Sequence, residues 1–131
     1  MIQRILLVDD NIDCRELMAL YIHRLGYDVV QAGDGIEAIE KAEGERFDLI
    51  LMDIQLPKLG GAESVSQLKK NSITKEVPIL IFTGFSPNKY ENTPLASDTV
   101  DIIQKPISLQ VVRHLLKKYL PPIDDCLKVA S

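Results

Sequence analysis

Apolar residues in this chain fall into short, nearly unbroken runs, each closed by a polar residue, and between the runs they recur at helical spacing. Residues 2–8 (IQRILLV) form one run, ended by Asp9-Asp10, and residues 47–53 (FDLILMD) another, with four apolar positions directly before Asp53. Runs of this length without alternation predict strands buried on both faces. Residues 27–32, 77–83 (VPILIFT) and 100–104 (VDIIQ) predict three more strands. Apolar positions 14, 17, 18, 21 and 25 make a helical stripe that Gly26 closes, with Asn11 or Asp13 as its cap. Gly33-Asp34-Gly35 turns the chain into a second helix over 36–42, and residues 62–70 form a third with Val65 and Leu68 on one face. Ser108 caps a last helix that ends at Tyr119 or Leu120, before Pro121-Pro122. Between Thr83 and Val100 a helix over 88–95 fits the spacing, but Pro94 would lie in its last turn and fray or bend it, so a short or mobile element is expected there.

Strands alternating with helices at this rhythm predict an α/β fold: a doubly wound parallel sheet with helices on both faces and right-handed crossovers. Such sheets bind ligands beyond the carboxyl ends of their strands. The polar strand ends are therefore the candidate site residues: Asp9, Asp10, Asp53, Thr83 and Lys105. Burying an unpaired carboxylate is costly, so Asp53 is expected at the strand mouth, wet and paired with a positive group.

Composition narrows the function. At 131 residues, with 46% apolar and 26% charged positions, the chain reads as one globular domain, 1–120, with a tail or the start of a linker at 121–131. A net charge of −4 argues against direct nucleic-acid binding, for which a basic stripe would be expected. Cys14 and Cys126 have no metal or redox spacing and read as free thiols in a reducing compartment. No apolar run is long enough to span a bilayer and no signal-peptide pattern opens the chain, so a cytoplasmic location without membrane insertion is expected.

Three carboxylates brought to one sheet edge raise each other's pKa unless a cation joins them. Oxygen-only ligands with room for water suit Mg²⁺. An acidic metal cup beside a lysine and a threonine hydroxyl suits a phosphoryl group.

The blocks Ile5-Leu-Leu-Val-Asp-Asp-Asn11, Leu49-Ile-Leu-Met-Asp-Ile-Gln-Leu-Pro57, Val77-Pro-Ile-Leu-Ile-Phe-Thr-Gly84 and Lys105-Pro106, in this order and spacing, resemble the receiver domain of two-component response regulators over about residues 2–120. The resemblance implies a flavodoxin-like (CheY-like) three-layer sandwich with five strands in the order 2-1-3-4-5. It implies Asp53 as phosphoacceptor, Asp10 as a direct Mg²⁺ ligand, Asp9 as one acting through water, and the Gln55 backbone carbonyl as a further ligand. Thr83 and Lys105 would bond phosphoryl oxygens. The phosphodonor would be a phosphohistidine on a sensor histidine kinase or phosphotransfer protein, or a small phosphodonor, and a conformational change would signal a downstream partner. The protein would catalyse its own aspartyl phosphorylation and dephosphorylation without turning over external substrates. Near Asp53, the Gln55 side chain would tune the lifetime of the phosphoryl group. Three features depart from the family pattern: Ile102 stands where an aromatic is usual, Pro87 and Pro94 interrupt the segment after Thr83, and the turn after Pro57 reads Leu59-Gly60-Gly61.

The same residues admit three other readings. Gly33-Asp34-Gly35-Ile36-Glu37-Ala38 nominally fits a dinucleotide-binding G-x-G-x-x-A, but Asp34 would oppose a pyrophosphate. A phosphatase of the haloacid-dehalogenase type wants Asp-x-Asp, and the third position is Asn11. A degenerate receiver that only binds a partner is the third alternative. His23 and His114 lack neighbours at ligand spacing, and Lys69-Lys70 and Lys117-Lys118 read as solvated helix ends that complement the dipole.

Overall fold

The computed structural model describes residues 2–120. Five strands, β1 (Arg4–Val8), β2 (Asp28–Ala32), β3 (Leu49–Asp53), β4 (Ile79–Thr83) and β5 (Asp101–Gln104), alternate with helices α1 (Ile12–Arg24), α2 (Gly35–Gly44), α3 (Gly61–Lys70), α4 (Pro94–Asp98) and α5 (Leu109–Tyr119). All strand pairs are parallel and the sheet order is β2-β1-β3-β4-β5. This is the expected doubly wound α/β architecture.

The unbroken apolar runs have the expected cause. Alternate residues of each central strand enter opposite cores: Leu6, Val8, Ile50, Met52, Ile79 and Ile81 face α2, α3 and α4. Ile5, Leu7, Leu49, Leu51, Leu80 and Phe82 face α1 and α5. Burial of each large side chain contributes about 1.5–3 kcal/mol, so the three central strands tie both helical layers to one sheet.

Local chemistry sets the helix ends. Asn11, Asp34 and Ser108 each accept from a backbone N–H of the first turn of α1, α2 and α5. The helix expected over 88–95 is replaced by a 3₁₀ turn, Pro87–Tyr90, and the five-residue α4. Pro94 lies at the start of α4 rather than in a last turn, behind the Thr93 cap, because a first-turn proline lacks only an N–H that would be unpaired anyway.

Two other expectations are corrected. The α1 stripe holds in part: Met18, Tyr21 and Leu25 pack against the core beside the buried Ala19 and Ile22, while Leu17 is 62% exposed and Cys14 faces solvent. Lys69 is not a solvated end: half-buried, it donates to the carbonyls of Lys75 (3.1 Å) and Val77 (2.8 Å), and burial pulls its pKa below the ordinary lysine value. His23 and His114 are both exposed, as read. The Pro121-Pro122 stop and Cys126 lie outside the described residues.

The glycines of the nominal dinucleotide motif have a packing explanation. A Cβ on Gly35 would lie 2.2 Å from the Leu59 carbonyl oxygen and 2.3 Å from Ser64 Oγ, and Asp34 is occupied as the α2 cap. No helix among the described residues is long and apolar enough to cross a membrane.

Candidate phosphoryl and cation site

Strand register brings the polar strand ends together. Val8 pairs with Met52, so Asp9 and Asp10 follow β1 beside Asp53 at the end of β3. Carboxylate oxygens of Asp9, Asp10 and Asp53 all lie within 4.8 Å of one another. Thr83 ends β4 opposite Gln104, and Lys105 follows directly, its backbone N–H donating to the Thr83 carbonyl at 2.6 Å. Asp9, Asp10, Asp53 and Lys105 line a cleft of about 630 Å³, with Phe82 and Met18 among its apolar walls.

Asp53 is not wet, contrary to the expectation: its side chain is only 8% exposed. Lys105 supplies the positive partner, its Nζ pairing with Asp53 Oδ2. The other oxygen, Oδ1, accepts from the Gln55 backbone N–H at 3.0 Å. A buried carboxylate is tolerated here because both oxygens are hydrogen-bonded and one faces a cation.

Electrostatics follow from this packing. Burial pushes the Asp9 carboxyl above the ordinary aspartate value; the Asn11 amide and Lys105 oppose that, and the charges of Asp53 and Asp10 add to it. Burial also pulls the Lys105 ammonium down, but its hydrogen bond to Asp53 and the charges of Asp53 and Asp9 outweigh this and hold it above the ordinary lysine value. Acidic oxygens crowded at one strand edge make a hard, oxygen-only donor set that fits a small divalent cation.

Four of the five strand-end residues line the cleft; Thr83 does not. Its fully buried hydroxyl meets the Tyr90 hydroxyl at 3.0 Å and accepts from the Phe85 N–H at 3.1 Å. Gln55 is exposed on the loop after β3.

Sequence reasoning missed two residues. Arg15 donates to the Asp9 carbonyl at 2.8 Å and to Gln31 Oε1 at 3.0 Å, fixing the end of β1 against β2. The signal was an arginine one turn into a helix that opens directly after the acidic pair. Tyr90 sits on the 3₁₀ turn, where no periodicity marks it.

A cluster of three carboxylates at the carboxyl edge of a β2-β1-β3-β4-β5 sheet defines a CheY-like α/β domain. The chain belongs to the response regulator receiver domain family, whose model matches residues 5–117. It is 37% identical over 111 residues to the CAI-1 autoinducer sensor kinase/phosphatase CqsS of Vibrio cholerae, covering 84% of this chain and 16% of that protein. It is 33% identical over 116 residues to the polar-differentiation response regulator DivK of Brucella anthropi, covering 88% of this chain and 94% of that one. The receiver domain of a sensor histidine kinase from Pseudomonas aeruginosa, solved with a magnesium ion coordinated in its active site cleft, superposes with a TM-score of 0.83 at 30% identity, covering 93% of this chain and all of that one. The chain thus spans a small part of some relatives and nearly the whole of others. It is a receiver domain of two-component signalling, a signalling module.

Proposed function

We propose that Asp53 is the phosphoacceptor of this receiver, with Asp9, Asp10, Asp53 and the Gln55 backbone carbonyl holding Mg²⁺ and with Lys105 and Thr83 binding the transferred group. The observation that carries the reading is the convergence of three carboxylates within 4.8 Å, with Lys105 paired to the most buried of them. Bound Mg²⁺ would supply positive charge against which the phosphoryl oxygens are neutralised.

The chain's own residues do the positioning. The Gln55 N–H and Lys105 hold the two Asp53 oxygens in fixed directions at the mouth of the cleft. A carboxylate oxygen attacks phosphorus in line, the P–N bond of a phosphohistidine breaks, and its electron pair returns to the imidazole. Lys105 passes from the free carboxylate to a phosphoryl oxygen, so the charge that paired Asp53 before transfer neutralises the product afterwards. The aspartyl phosphate then draws the Thr83 hydroxyl toward it and biases the segment after β4. The phosphodonor is a histidine kinase or phosphotransfer protein, consistent with the sensor kinases among the relatives. The receiver unit is taken as residues 1–120.

Incubation with acetyl phosphate and Mg²⁺ should add one phosphoryl group by intact mass, and Asp53→Asn should abolish it. Uptake that survives Asp53→Asn would refute the assignment, as would no uptake at all from acetyl phosphate or a histidine kinase. The exposed Gln55 is taken to tune how long the phosphoryl group survives.

A further inference from the structure

Thr83 has a partner whose role the strand ends alone do not explain. Its hydroxyl is fully buried, and among the described residues its polar partners are Phe85 N–H and Tyr90 Oη. A hydroxyl carries one proton and two lone pairs. The Phe85 amide takes one lone pair at 3.1 Å, so the proton still needs an acceptor. Tyr90 Oη lies 3.0 Å away, and of the two directions open to this pair only acceptance by Tyr90 places that proton. The opposite direction would strand a buried Thr83 proton, whereas the half-exposed Tyr90 can give its own proton to water.

We propose that Tyr90 is the positioning residue for Thr83: its hydroxyl accepts the Thr83 O–H hydrogen bond in the resting receiver and loses it when a phosphoryl oxygen on Asp53 accepts that hydrogen bond instead. The proposal rests on the phosphoacceptor reading above and adds to it the route by which transfer is felt.

The surroundings carry this further. Ile102 of β5 has no hydroxyl to offer, and it and Tyr90 both pack against the same core. The aromatic ring is thus delivered by the 3₁₀ turn Pro87–Tyr90, not by the fifth strand. That turn is tied onward: Thr93 Oγ1 donates to the Tyr90 carbonyl at 2.5 Å and also caps α4 by accepting from the Ala96 N–H. Asn92, between them, has a left-handed φ of 62°. Loss of one hydrogen bond at Thr83 therefore releases a segment that carries both the ring and the cap of α4. The signal needs no ring rotation on β5, because the bond that breaks belongs to the segment that moves.

Beryllofluoride with Mg²⁺, titrated calorimetrically, tests this on the full chain. Tyr90→Phe removes the acceptor from the resting state and leaves the liganded state intact, so affinity should rise about three- to tenfold. In a Thr83→Ala background the same substitution should change affinity by less than about twofold, because the shared proton is gone. A 3-fluorotyrosine at position 90 should show a fluorine shift on ligand binding in the parent chain and a much smaller one with Thr83→Ala. Unchanged or weakened affinity in Tyr90→Phe overturns the proposal. So does an equal change with and without the Thr83 hydroxyl, which would mark a packing role. Absence of Asp53-dependent beryllofluoride binding in the parent chain would instead remove the phosphoacceptor reading, and this proposal with it.

Discussion

Lys105→Met isolates the charge that makes a buried Asp53 tolerable. Methionine keeps an unbranched stem against the cleft wall and deletes the ammonium that pairs with Asp53 Oδ2. Removing one partner of a fully buried ion pair costs about 3–5 kcal/mol, whereas exposed pairs contribute at most about 1 kcal/mol. Here the aspartate side chain is 8% exposed and the lysine 37% exposed, so the pair lies between those limits and solvent screens its cationic end. The expected loss is about 1–2 kcal/mol of unfolding free energy at pH 7 without divalent cations. For a domain of this size that is a drop in Tm of about 3–10 °C. Urea and thermal unfolding followed by circular dichroism, in buffer containing a chelator, measure it. The cause is a stranded carboxylate beside Asp9 and Asp10, so Asp53→Asn in the Lys105→Met background should restore most of the loss. Added Mg²⁺ should restore part of it too, since a cation that binds only the folded chain stabilises it by mass action. A double variant as unstable as Lys105→Met alone would refute the reasoning, placing the cost in the lysine stem rather than in charge.

Two further outcomes follow from the same geometry. The Asp9 carboxyl is held above its ordinary pKa chiefly by burial, so its contribution to stability is full below the unfolded value of about 3.9 and is lost as pH rises through the higher folded value. At pH 7 its ionised form is a net cost, and Asp9→Asn, which keeps an oxygen for the Asn11 amide, should raise Tm in metal-free buffer with the gap closing toward pH 4; equal Tm values at pH 7 would count against it. A Cβ on Gly61 would lie 2.6 Å from Ile54 Cα and 2.8 Å from the Asp53 carbonyl oxygen, all backbone, so Gly61→Ala must displace the loop that follows Asp53. It should cost about 1–3 kcal/mol and slow phosphoryl uptake, while Gly44→Ala, in open space at the end of α2, should leave uptake at the parental rate.

How much was legible depended on whether a residue's role repeats along the chain. Four apolar residues before Asp53 have few solutions other than a central strand, and the alternation of Leu49 and Leu51 into one core and Ile50 and Met52 into the other is that solution. The site was legible for a related reason: a polar residue after each such strand can only lie at the sheet's edge, so Asp9, Asp10, Asp53 and Lys105 converge once the strands are parallel. Single polar contacts repeat nowhere, and they decided everything that was misread. Counting apolar side chains places Met18, Tyr21 and Leu25 of α1 against the core but also Leu17, which is exposed, and it passes over Arg15, which is half-buried and holds the Asp9 carbonyl. Asp53 was expected to need water because the strength of the Lys105 pairing depends on a distance across 52 positions of sequence, which no local pattern encodes. Pro94 was read as a frayed end because its Thr93 cap, one residue earlier, was not weighed. The Tyr90 contact with Thr83 crosses an irregular turn in the same way. In a receiver, the regular part of the sequence thus reports the carboxylate cluster around Asp53, and the irregular part, residues 84–99, carries the Tyr90 contact proposed to transmit its phosphorylation.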